Sequence, residues 1–421
     1  MSASIADTVI TGYGVVTSVG CDRASCAGAL AASRARFSEI DRSAGYHRRA
    51  SARLAATIDA AELGAWLGAA QARRMSPPSR YAVAAARQAM EQAALVVSDR
   101  PRSASSREET GVFLGTSFGP SSYSERILRQ VLLEGPTAAS PMLFTESVAN
   151  APAAQVALLA KAYGPNVTIT EREASGVMAL GRAAWAVAEG RATAAFAGGV
   201  EELCPLLHAV LDGYGALARG PDEAPRPFDA GRRGFVLGEG AVMAVVERAR
   251  AAAARGVEPL ARIAFFARGF DRTAPATSWS ARPAALSRRL ERALSEAGWS
   301  PESVDLVVSG GSGSRPGDRA EARVLVEAWG GRPLPPVIAP KGILGDWVGA
   351  PVAGALAALE GVAFGATPGF ERVDPELGLM PHDGRALGGP RRVLVSVLSA
   401  GGAGAWLGLE RAGDGERGSG A

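Results

Sequence analysis

The residues of this 421-residue chain that could do chemistry stand in glycine-containing segments, and most of them are acidic. A β-branched strand pattern at residues 167–170 is expected to continue through Glu173 into a helix that begins at Ala-Ser-Gly, residues 174–176. A side chain at such a turn is held at a helix N-terminus, where backbone N–H groups and the helix dipole favour an anion. The segment therefore predicts a sharp turn that presents the Glu173 carboxylate.

Lysine is rare here, since only Lys161 and Lys341 are lysines among the 45 basic residues. A lysine in the segment Pro-Lys-Gly-Ile-Leu-Gly-Asp, residues 340–346, is therefore informative. We expect Lys341 to pair with Glu321, Glu173 or Asp346, because buried acids need a compensating charge. The alternative is a solvated surface lysine, and Lys161 has no predicted role.

The motifs argue against several cofactor chemistries. The sequence contains no GxxxxGKS or GxxxxGKT phosphate loop, and Gly-Ser-Gly at residues 311–313 lacks the third glycine of a dinucleotide fingerprint. The odd number of cysteines, without CxxC or Cys/His spacing, argues against a disulfide scaffold and a structural zinc site: Cys21, Cys26 and Cys204. We expect neither a cofactor nor a metal.

Elements of an α/β fold must position these segments. Apolar runs, most of them ending at or near glycine, predict strands at residues 8–14, 111–115, 167–170, 193–198, 241–246, 261–267, 306–310 and 393–398. Apolar residues at three- and four-residue spacing predict helices at residues 80–95, 175–189, 283–297 and 318–329. The apolar stretch at residues 347–366 is interrupted by Glu360 and four glycines, which predicts a buried helix pair and no membrane span.

Composition and length limit the function classes. The 45 basic and 42 acidic residues give a net charge of +3 without a long basic stripe, so we expect no nucleic-acid or membrane partner. The N-terminus lacks the regions of a signal peptide, and a cytoplasmic location fits the cysteines. The length predicts two packed α/β halves, divided as residues 1–255 and 256–412, followed by a disordered tail at 413–421.

Five glycine-containing segments resemble, in their order and separation, those of the β-ketoacyl synthases, the condensing enzymes of fatty acid and polyketide synthesis. They lie at residues 164–181, 226–241, 304–321, 340–347 and 399–404. The resemblance runs from residue 8 to residue 410. Its most specific piece is Pro-Phe-Asp at residues 227–229 with Arg-Gly-Phe-Val-Leu-Gly-Glu-Gly-Ala at residues 233–241. It implies a thiolase-like α/β fold, in which two similar halves form five layers, α-β-α-β-α, and an obligate dimer.

The catalytic positions depart from the pattern of that family. Glu173 stands where active synthases carry the nucleophilic Cys of T-A-C-A-S-G, and a carboxylate is a far weaker acyl acceptor than a thiolate. Gly310 replaces the His of N-A-H-G-T-G-T, and Asp346 replaces the His of K-S-x-x-G-H. Glycine offers no ring N–H, and an ionised aspartate would repel the enolate and oxyanion that the histidines stabilise. We therefore expect no intact catalytic set.

Part of the polar framework of the family is retained. Lys341 matches its lysine, Asp318 and Glu321 match N-D-x-x-E, and Glu239 matches G-E-G. The three histidines lie outside these loops and are expected to be surface or packing residues: His47, His208 and His382.

Loss of the Cys and both His from an intact scaffold resembles the chain length factor, the β subunit of type II polyketide ketosynthases. That subunit usually has Gln where this chain has Glu173. The resemblance implies a heterodimer with an active ketosynthase α subunit, served by an acyl carrier protein with a phosphopantetheine-tethered acyl chain. The chain grows from the α subunit through a tunnel that the β subunit closes.

By the same resemblance, residues 140–154 line that tunnel. The expected tunnel or interface residues are Met142, Leu143, Thr145, Val148 and Pro152. Thr145, Val148 and Pro152 are smaller than the residues of aromatic polyketide factors, which predicts a longer or wider tunnel and a long acyl product. The alternative is that Met142, Leu143 and Val148 are ordinary dimer core.

Two enzymatic alternatives stay open. The first is a malonyl-carrier decarboxylase or repurposed acyltransferase with Glu173 as base and Lys341 in support. A related decarboxylating synthase keeps its two histidines, so Gly310 and Asp346 argue against this alternative. The second is an active homodimeric synthase with an unrecognised nucleophile. Cys204 is the residue considered for it, and we expect a buried small hydrophobe there.

Overall fold

The computed structural model describes residues 5–48, 51–95 and 109–413. The strands are β1 (Thr8–Thr17), β2 (Ser38–Glu39), β3 (Leu54–Ala55), β4 (Thr110–Gly115), β5 (Asn166–Ile169), β6 (Ala194–Glu201), β7 (Gly240–Arg248), β8 (Ala261–Phe270), β9 (Leu306–Ser309), β10 (Val337–Ile338), β11 (Arg392–Leu398) and β12 (Ala403–Arg411). The α-helices are α1 (Arg23–Ala31), α2 (Ala69–Ala72), α3 (Pro77–Gln92), α4 (Ser121–Glu134), α5 (Pro141–Ser147), α6 (Ala151–Ala160), α7 (Ser175–Ala188), α8 (Pro205–Gly213), α9 (Ala249–Ala254), α10 (Ala284–Glu296), α11 (Arg315–Trp329), α12 (Lys341–Leu344) and α13 (Ala350–Leu359). Short 3-10 turns occur at Ile5–Asp7, Ala60–Ala65, Pro136–Ala138, Arg172–Ala174 and Pro301–Ser303.

Ten strands of the described part of the chain form one mixed sheet, which is made of two halves with the same strand order. The N-terminal half runs β5-β4-β6-β7-β1 and the C-terminal half runs β10-β9-β11-β12-β8. In each order the first three strands are parallel, and the fourth and fifth each run antiparallel to the strand before. β1 joins β8 through the pairs Val9 with Arg262 and Ile10 with Ala261. The duplicated α/β architecture expected from the sequence is confirmed.

In the described residues, helices on the sheet halves enclose three large apolar cores, and a small fourth cluster includes Leu217 and Leu237. Along β7, Val242 and Ala244 face the central core, whereas Met243 and Val245 face an outer one, because successive strand residues point to opposite faces. The central core holds α7 and α13, α3 and α6 cover the outer face of the N-terminal half, and α10 and α11 cover that of the C-terminal half. These are the five layers of the thiolase-like fold.

The two halves differ from the sequence expectation in a few places. All eight predicted strands are present, with ends shifted by up to three residues. The sequence missed β12, because Gly404 and Gly408 interrupt its apolar pattern. The expected helix pair at residues 347–366 is wrong: only α13 is helical there, and Gly361 at φ +95° follows its end.

Within the described ranges, no helix is long and apolar enough to cross a bilayer. The tail predicted at residues 413–421 lies, after Gly413, outside the described residues. The division near residue 255 stays a prediction.

Candidate functional site

Three loops at strand ends meet at the candidate site. β5 leads toward the 3-10 turn Arg172–Ala174, β9 leads into the glycine loop at residues 310–313, and β11 leads into the turn at residues 399–402. The Gly310 N–H donates to the Ser396 carbonyl on β11 at 2.8 Å. Parallel strands bring their carboxyl ends to one edge of a sheet, and α/β proteins place their sites there.

The turn that carries Glu173 is locked against residues 399–402. The Ala174 N–H donates to the Ser399 hydroxyl at 3.0 Å, and the Arg172 guanidinium donates to the Ala400 carbonyl at 2.9 Å. Arg172 has φ +50°, which is uncommon for a residue with a Cβ. The expectation that the strand continues through Glu173 is wrong, since β5 ends at residue 169 and the 3-10 turn intervenes.

The Glu173 side chain is partly buried at the start of α7. Its Oε2 accepts a hydrogen bond from the Ala400 N–H at 3.3 Å. Burial raises the pKa of Glu173 above the usual value of a glutamate, while the Lys341 charge and backbone N–H groups oppose that shift and the Asp346 charge adds to it. Glu173 is therefore a carboxylate whose charged form backbone N–H groups stabilise.

Lys341 is buried and forms an ion pair with Asp346, with Nζ and Oδ1 2.5 Å apart. Burial alone would lower the pKa of Lys341, but the charges of Asp346, Glu173 and Glu321 outweigh it and raise the pKa. The lysine is therefore held in its charged form among three acids. Of the three pairings that the sequence left open, the direct contact is with Asp346, and the solvated alternative is wrong because the side chain is only 1% exposed.

Glu321 faces the position that the sequence assigns to a missing histidine. Its Oε1 accepts from the Gly310 N–H at 3.1 Å. A Cβ built on Gly310 would lie 3.4 Å from Glu321 Oε2 and 3.2 Å from Val397 Cγ1. A side chain at residue 310 would therefore start between Glu321 and Val397. Burial raises the pKa of Glu321 to about 7.

Asp318 holds the glycine loop from the start of α11. Its carboxylate accepts from the N–H groups of Phe228, Ser312 and Gly313 at 2.8, 3.0 and 3.1 Å. Burial raises its pKa to about 6. Asp318 therefore positions the loop, whereas Glu321, one helical turn later, interacts through its charge with Lys341.

Glu239 does not join the charged group formed by Lys341, Asp346, Glu173 and Glu321. Its carboxylate accepts from the Ile58 N–H at 2.7 Å, the Tyr81 hydroxyl at 3.1 Å and the Leu203 N–H at 3.2 Å. Burial raises its pKa. It joins segments of the N-terminal half, which is a structural task.

The thiols and imidazoles of the chain lie away from these loops. The His47 and His208 rings hydrogen-bond to each other at 3.0 Å, and the His382 ring contacts the Phe364 carbonyl at 3.2 Å. The three cysteines are buried and free, which confirms the burial expected of Cys204. Burial raises the pKa of the Cys204 thiol to about 11.

The predicted tunnel residues lie on α5 and at the start of α6. Met142, Thr145 and Val148 are exposed in the single chain, Leu143 is half-buried and Pro152 is buried. Their assignment to a tunnel or to an interface stays a prediction.

Glu146 and Glu201 were missed by the sequence argument. Glu146 accepts from two serine hydroxyls of α3 and its N-cap, while Glu201 fixes the loop after β4 through the Ser117 and Phe118 N–H groups at 2.8 and 3.0 Å. Burial raises the pKa of Glu201 to about 7. The only available signal for Glu201 was an acid at the end of an otherwise apolar strand.

The site can hold charge and accept hydrogen bonds, but its side chains are carboxylates, an ammonium and hydroxyls. A buried carboxylate can act as a base or as an internal anion. Among the residues that the structure describes, no group of three or more potential metal ligands is assembled.

The comparisons with known proteins agree with this architecture. The chain matches the family described as beta-ketoacyl synthase, N-terminal domain, over residues 6–252, and its C-terminal domain over residues 260–364. A 3-oxoacyl-(acyl-carrier-protein) synthase 2 of Staphylococcus aureus is 31% identical over 268 residues, and the match spans only 62% of this chain and 62% of that protein.

Two solved structures share nearly the whole fold. The ishigamide ketosynthase/chain length factor has a TM-score of 0.84 at 27% identity, covering 96% of this chain and 99% of that chain. A type II polyketide acyl-carrier protein in complex with its ketosynthase bound to the hexaketide gives 0.83 at 22% identity, with coverage of 96% and 99%. The second likeness concerns the fold alone.

Proposed function

Because this chain belongs to the β-ketoacyl synthase family, we propose that it is a chain length factor. Such a subunit has no condensing activity of its own, pairs with an active ketosynthase and shapes the tunnel that receives the acyl chain. The observation that carries the proposal is the set of residues at the three catalytic positions, Glu173, Gly310 and Asp346. A carboxylate, a hydrogen and a second carboxylate cannot supply a thiolate and two imidazoles.

A large apolar surface on the single chain supports a partner subunit. The segment from α4 through β5 exposes more than half of each of seven large apolar side chains: Leu128, Leu132, Leu133, Met142, Phe144, Leu158 and Tyr163. In this chain β5 is also an edge strand of the ten-stranded sheet. Exposed apolar patches and free strand edges are typical of surfaces that another subunit covers. We place the ketosynthase on this segment, with an acyl carrier protein as the further partner of the pair.

The proposed tunnel lies beside that surface. Val148 is the C-cap residue of α5. The next residue, Ala149, lies close to Gly119, because a Cβ on Gly119 would lie 3.1 Å from the Ala149 Cα. Gly119 belongs to the loop after β4, whose Thr116 carbonyl accepts from the Ser175 hydroxyl at 3.2 Å, at the start of α7. The end of α5 is therefore connected to the turn of Glu173 through one loop. This connection supports a role of Val148 beside the acyl path.

The proposed function is tested by malonyl-carrier turnover, first with the purified chain alone and then with a type II ketosynthase α subunit that carries an intact Cys and both His. We expect turnover and elongation only from the pair. Steady decarboxylation or condensation by the chain alone, abolished by Glu173→Ala, would contradict the proposal and support the enzymatic alternative with Glu173 as base.

Product length tests the tunnel. In the reconstituted pair, Val148→Phe adds bulk at the end of α5 and is expected to shorten the main product by one or more extensions, as seen by mass spectrometry. Val210→Phe makes the same change at an exposed valine of α8, outside the proposed tunnel, and is the matched control that should leave the distribution unchanged. An unchanged product length with Val148→Phe would remove Val148 from the tunnel.

A further inference from the structure

We propose that His47 and His208 form a pH-sensitive latch, which holds a strap, residues 41–48, on α8 and releases it when the pair takes up a proton. The strap belongs to the loop between β2 and β3. His47 Nε2 and His208 Nδ1 lie 3.0 Å apart, and His208 Nε2 lies 3.2 Å from the Leu54 carbonyl oxygen. His208 is completely buried, and His47 is partly buried. Two imidazoles therefore join the strap to a helix and to the start of β3.

The partners of the two rings fix the positions of their hydrogens. The Leu54 carbonyl only accepts, so His208 Nε2 carries a hydrogen and His208 Nδ1 is left as an acceptor. His47 Nε2 must then donate to His208 Nδ1, which leaves His47 Nδ1 without a hydrogen. In the described part of the chain, this buried nitrogen has no hydrogen-bond partner. The neutral pair therefore uses both of its N–H groups within the latch.

A further proton has no suitable place in the closed latch. Whichever ring becomes charged, one hydrogen stays between the rings and another stays on the Leu54 carbonyl, so the added hydrogen is located on His47 Nδ1. That buried nitrogen would then be a donor without an acceptor among the described residues. A buried donor without an acceptor is destabilising, and a charged one more so. Release of the strap brings this N–H group to water.

The charged groups around the latch do not remove this penalty. Arg42, in the strap, adds a positive charge that disfavours protonation, whereas Asp212, one turn after His208 on α8, favours it. The Asp212 carboxylate is already engaged, because it accepts from the Ala52 N–H at 3.1 Å and pairs with Arg219 at 3.0 Å. On the β3 side, the Glu223 carboxylate accepts from a backbone N–H of that strand at 2.7 Å. Both nearby carboxylates are therefore occupied by donors outside the latch.

The direction of the pH response follows from burial. Burial is the largest effect on both rings, and it lowers the pKa of His47 and of His208 below the ordinary value of 6.5. The open strap therefore binds protons better than the closed one. The closed latch is stable above pH 6.5, and its stability is lost progressively as the pH falls below that value.

Other contacts of the loop define how far it moves. At its base, the Ile40 N–H donates to the Arg53 carbonyl at 2.8 Å, beside the pairing of β2 with β3. Within the strap, the Tyr46 hydroxyl donates to Glu125 on α4, and the Arg129 guanidinium donates to the Tyr46 hydroxyl at 3.2 Å. The strap thus joins α8 to α4, a helix of the apolar segment assigned to a partner, although the latch does not depend on that assignment.

Hydrogen exchange of the full chain at pH 7.5 and pH 5.5, corrected for the intrinsic pH dependence of amide exchange, tests the latch. In wild type, protection of residues 41–48 is expected to fall by ~10-fold or more at pH 5.5, while protection of α3 stays unchanged. His47→Gln places an amide that donates or accepts, and does not titrate, near the position of Nε2, so its strap should stay protected at both pH values. His382→Gln makes the same substitution at the third histidine and should respond like wild type. His47→Ala should lack the protection at both pH values.

Imidazole NMR of the wild-type chain gives a second measurement that needs no variant. The nitrogen–nitrogen coupling across the hydrogen bond identifies the two rings of the pair, and both should be Nε2–H tautomers at pH 7.5. A His47 ring with its hydrogen on Nδ1 would overturn the proposal. Equal protection of the wild-type strap at both pH values, or an acid response of His47→Gln equal to that of wild type, would overturn it as well. No partner subunit or acyl chain takes part, so the result is separate from the fate of the proposed function.

Discussion

At the scale of single residues, one lysine organises the charge of the site. Lys341 contacts Asp346 directly and interacts through its charge with Glu173 and Glu321. One buried ammonium group therefore stabilises the charged form of three carboxylates. Buried carboxylates are costly in their charged form unless they are paired or hydrogen-bonded. The acids of this site are therefore expected to hold protons more tightly than exposed ones.

Glu321→Gln is expected to change the pH dependence of stability. Burial raises the pKa of Glu321 from 4.5 to about 7 in the folded chain, so the folded state binds the extra proton and wild-type stability from this group is lost as pH rises from about 4.5 through 7. Glutamine cannot ionise and can still accept from the Gly310 N–H. The stability of Glu321→Gln relative to wild type should therefore increase between pH 5 and pH 8, by an amount on the order of 2 kcal/mol.

Chemical denaturation at several pH values measures this difference. Glu291→Gln, at an exposed position of α10, is the matched control and should show a flat difference. A flat difference for Glu321→Gln as well would mean that Glu321 titrates like an exposed acid.

At the scale of elements, α5 is fixed by one buried acid. Glu146 accepts from the Ser76 N–H and hydroxyl at 2.8 Å, from the Ser79 hydroxyl at 2.7 Å and from the Gln155 amide at 2.7 Å. Ser76 is the N-cap of α3 and Gln155 lies on α6. The helix that exposes Met142 is therefore tied to two neighbours by a single carboxylate.

Glu146→Ala is expected to destabilise the chain by about 2–4 kcal/mol, because it leaves buried donors without an acceptor. Limited proteolysis should show faster cleavage near α5, and the unfolding transition should move to lower temperature. Glu134→Ala, at the exposed end of α4, is expected to behave like wild type. Equal effects of the two substitutions would show that Glu146 does not anchor α5.

At the scale of the whole molecule, duplication places the site between two similar halves. In chain order, β5 and β10 are each the third of the five sheet strands of their half. The turn of Glu173 follows β5, and Lys341 follows β10. The outer edge of the N-terminal half is β5, with Asn166 and Val167 exposed. This edge lies beside the apolar segment that we assign to the partner subunit.

Val167→Lys should block assembly with the ketosynthase, since a lysine on a strand edge disfavours pairing with another strand. Size-exclusion chromatography with light scattering on the co-expressed pair should show separate subunits. Met380→Lys also changes an exposed apolar residue, but outside this segment, and should leave the complex intact. Persistence of the complex with Val167→Lys would place the interface elsewhere.

Much of this architecture is determined by the sequence alone. Strand positions follow from local apolar runs, and the turn at Glu173 follows from a strand pattern that meets Ala-Ser-Gly, because these are properties of neighbouring residues. The residues at the three positions that the resemblance compares with catalytic ones, Glu173, Gly310 and Asp346, are likewise read directly from the sequence.

Only the tertiary structure decided which residues meet. It selected Asp346 as the direct partner of Lys341, left Glu239 in the N-terminal half and brought the Ala400 N–H to Glu173 across 227 positions of the chain. It also revealed Glu146 and Glu201, whose donors come from distant segments. Contacts of this kind depend on how the two halves pack together, and burial, which raises the pKa of Glu173, arises only from that packing.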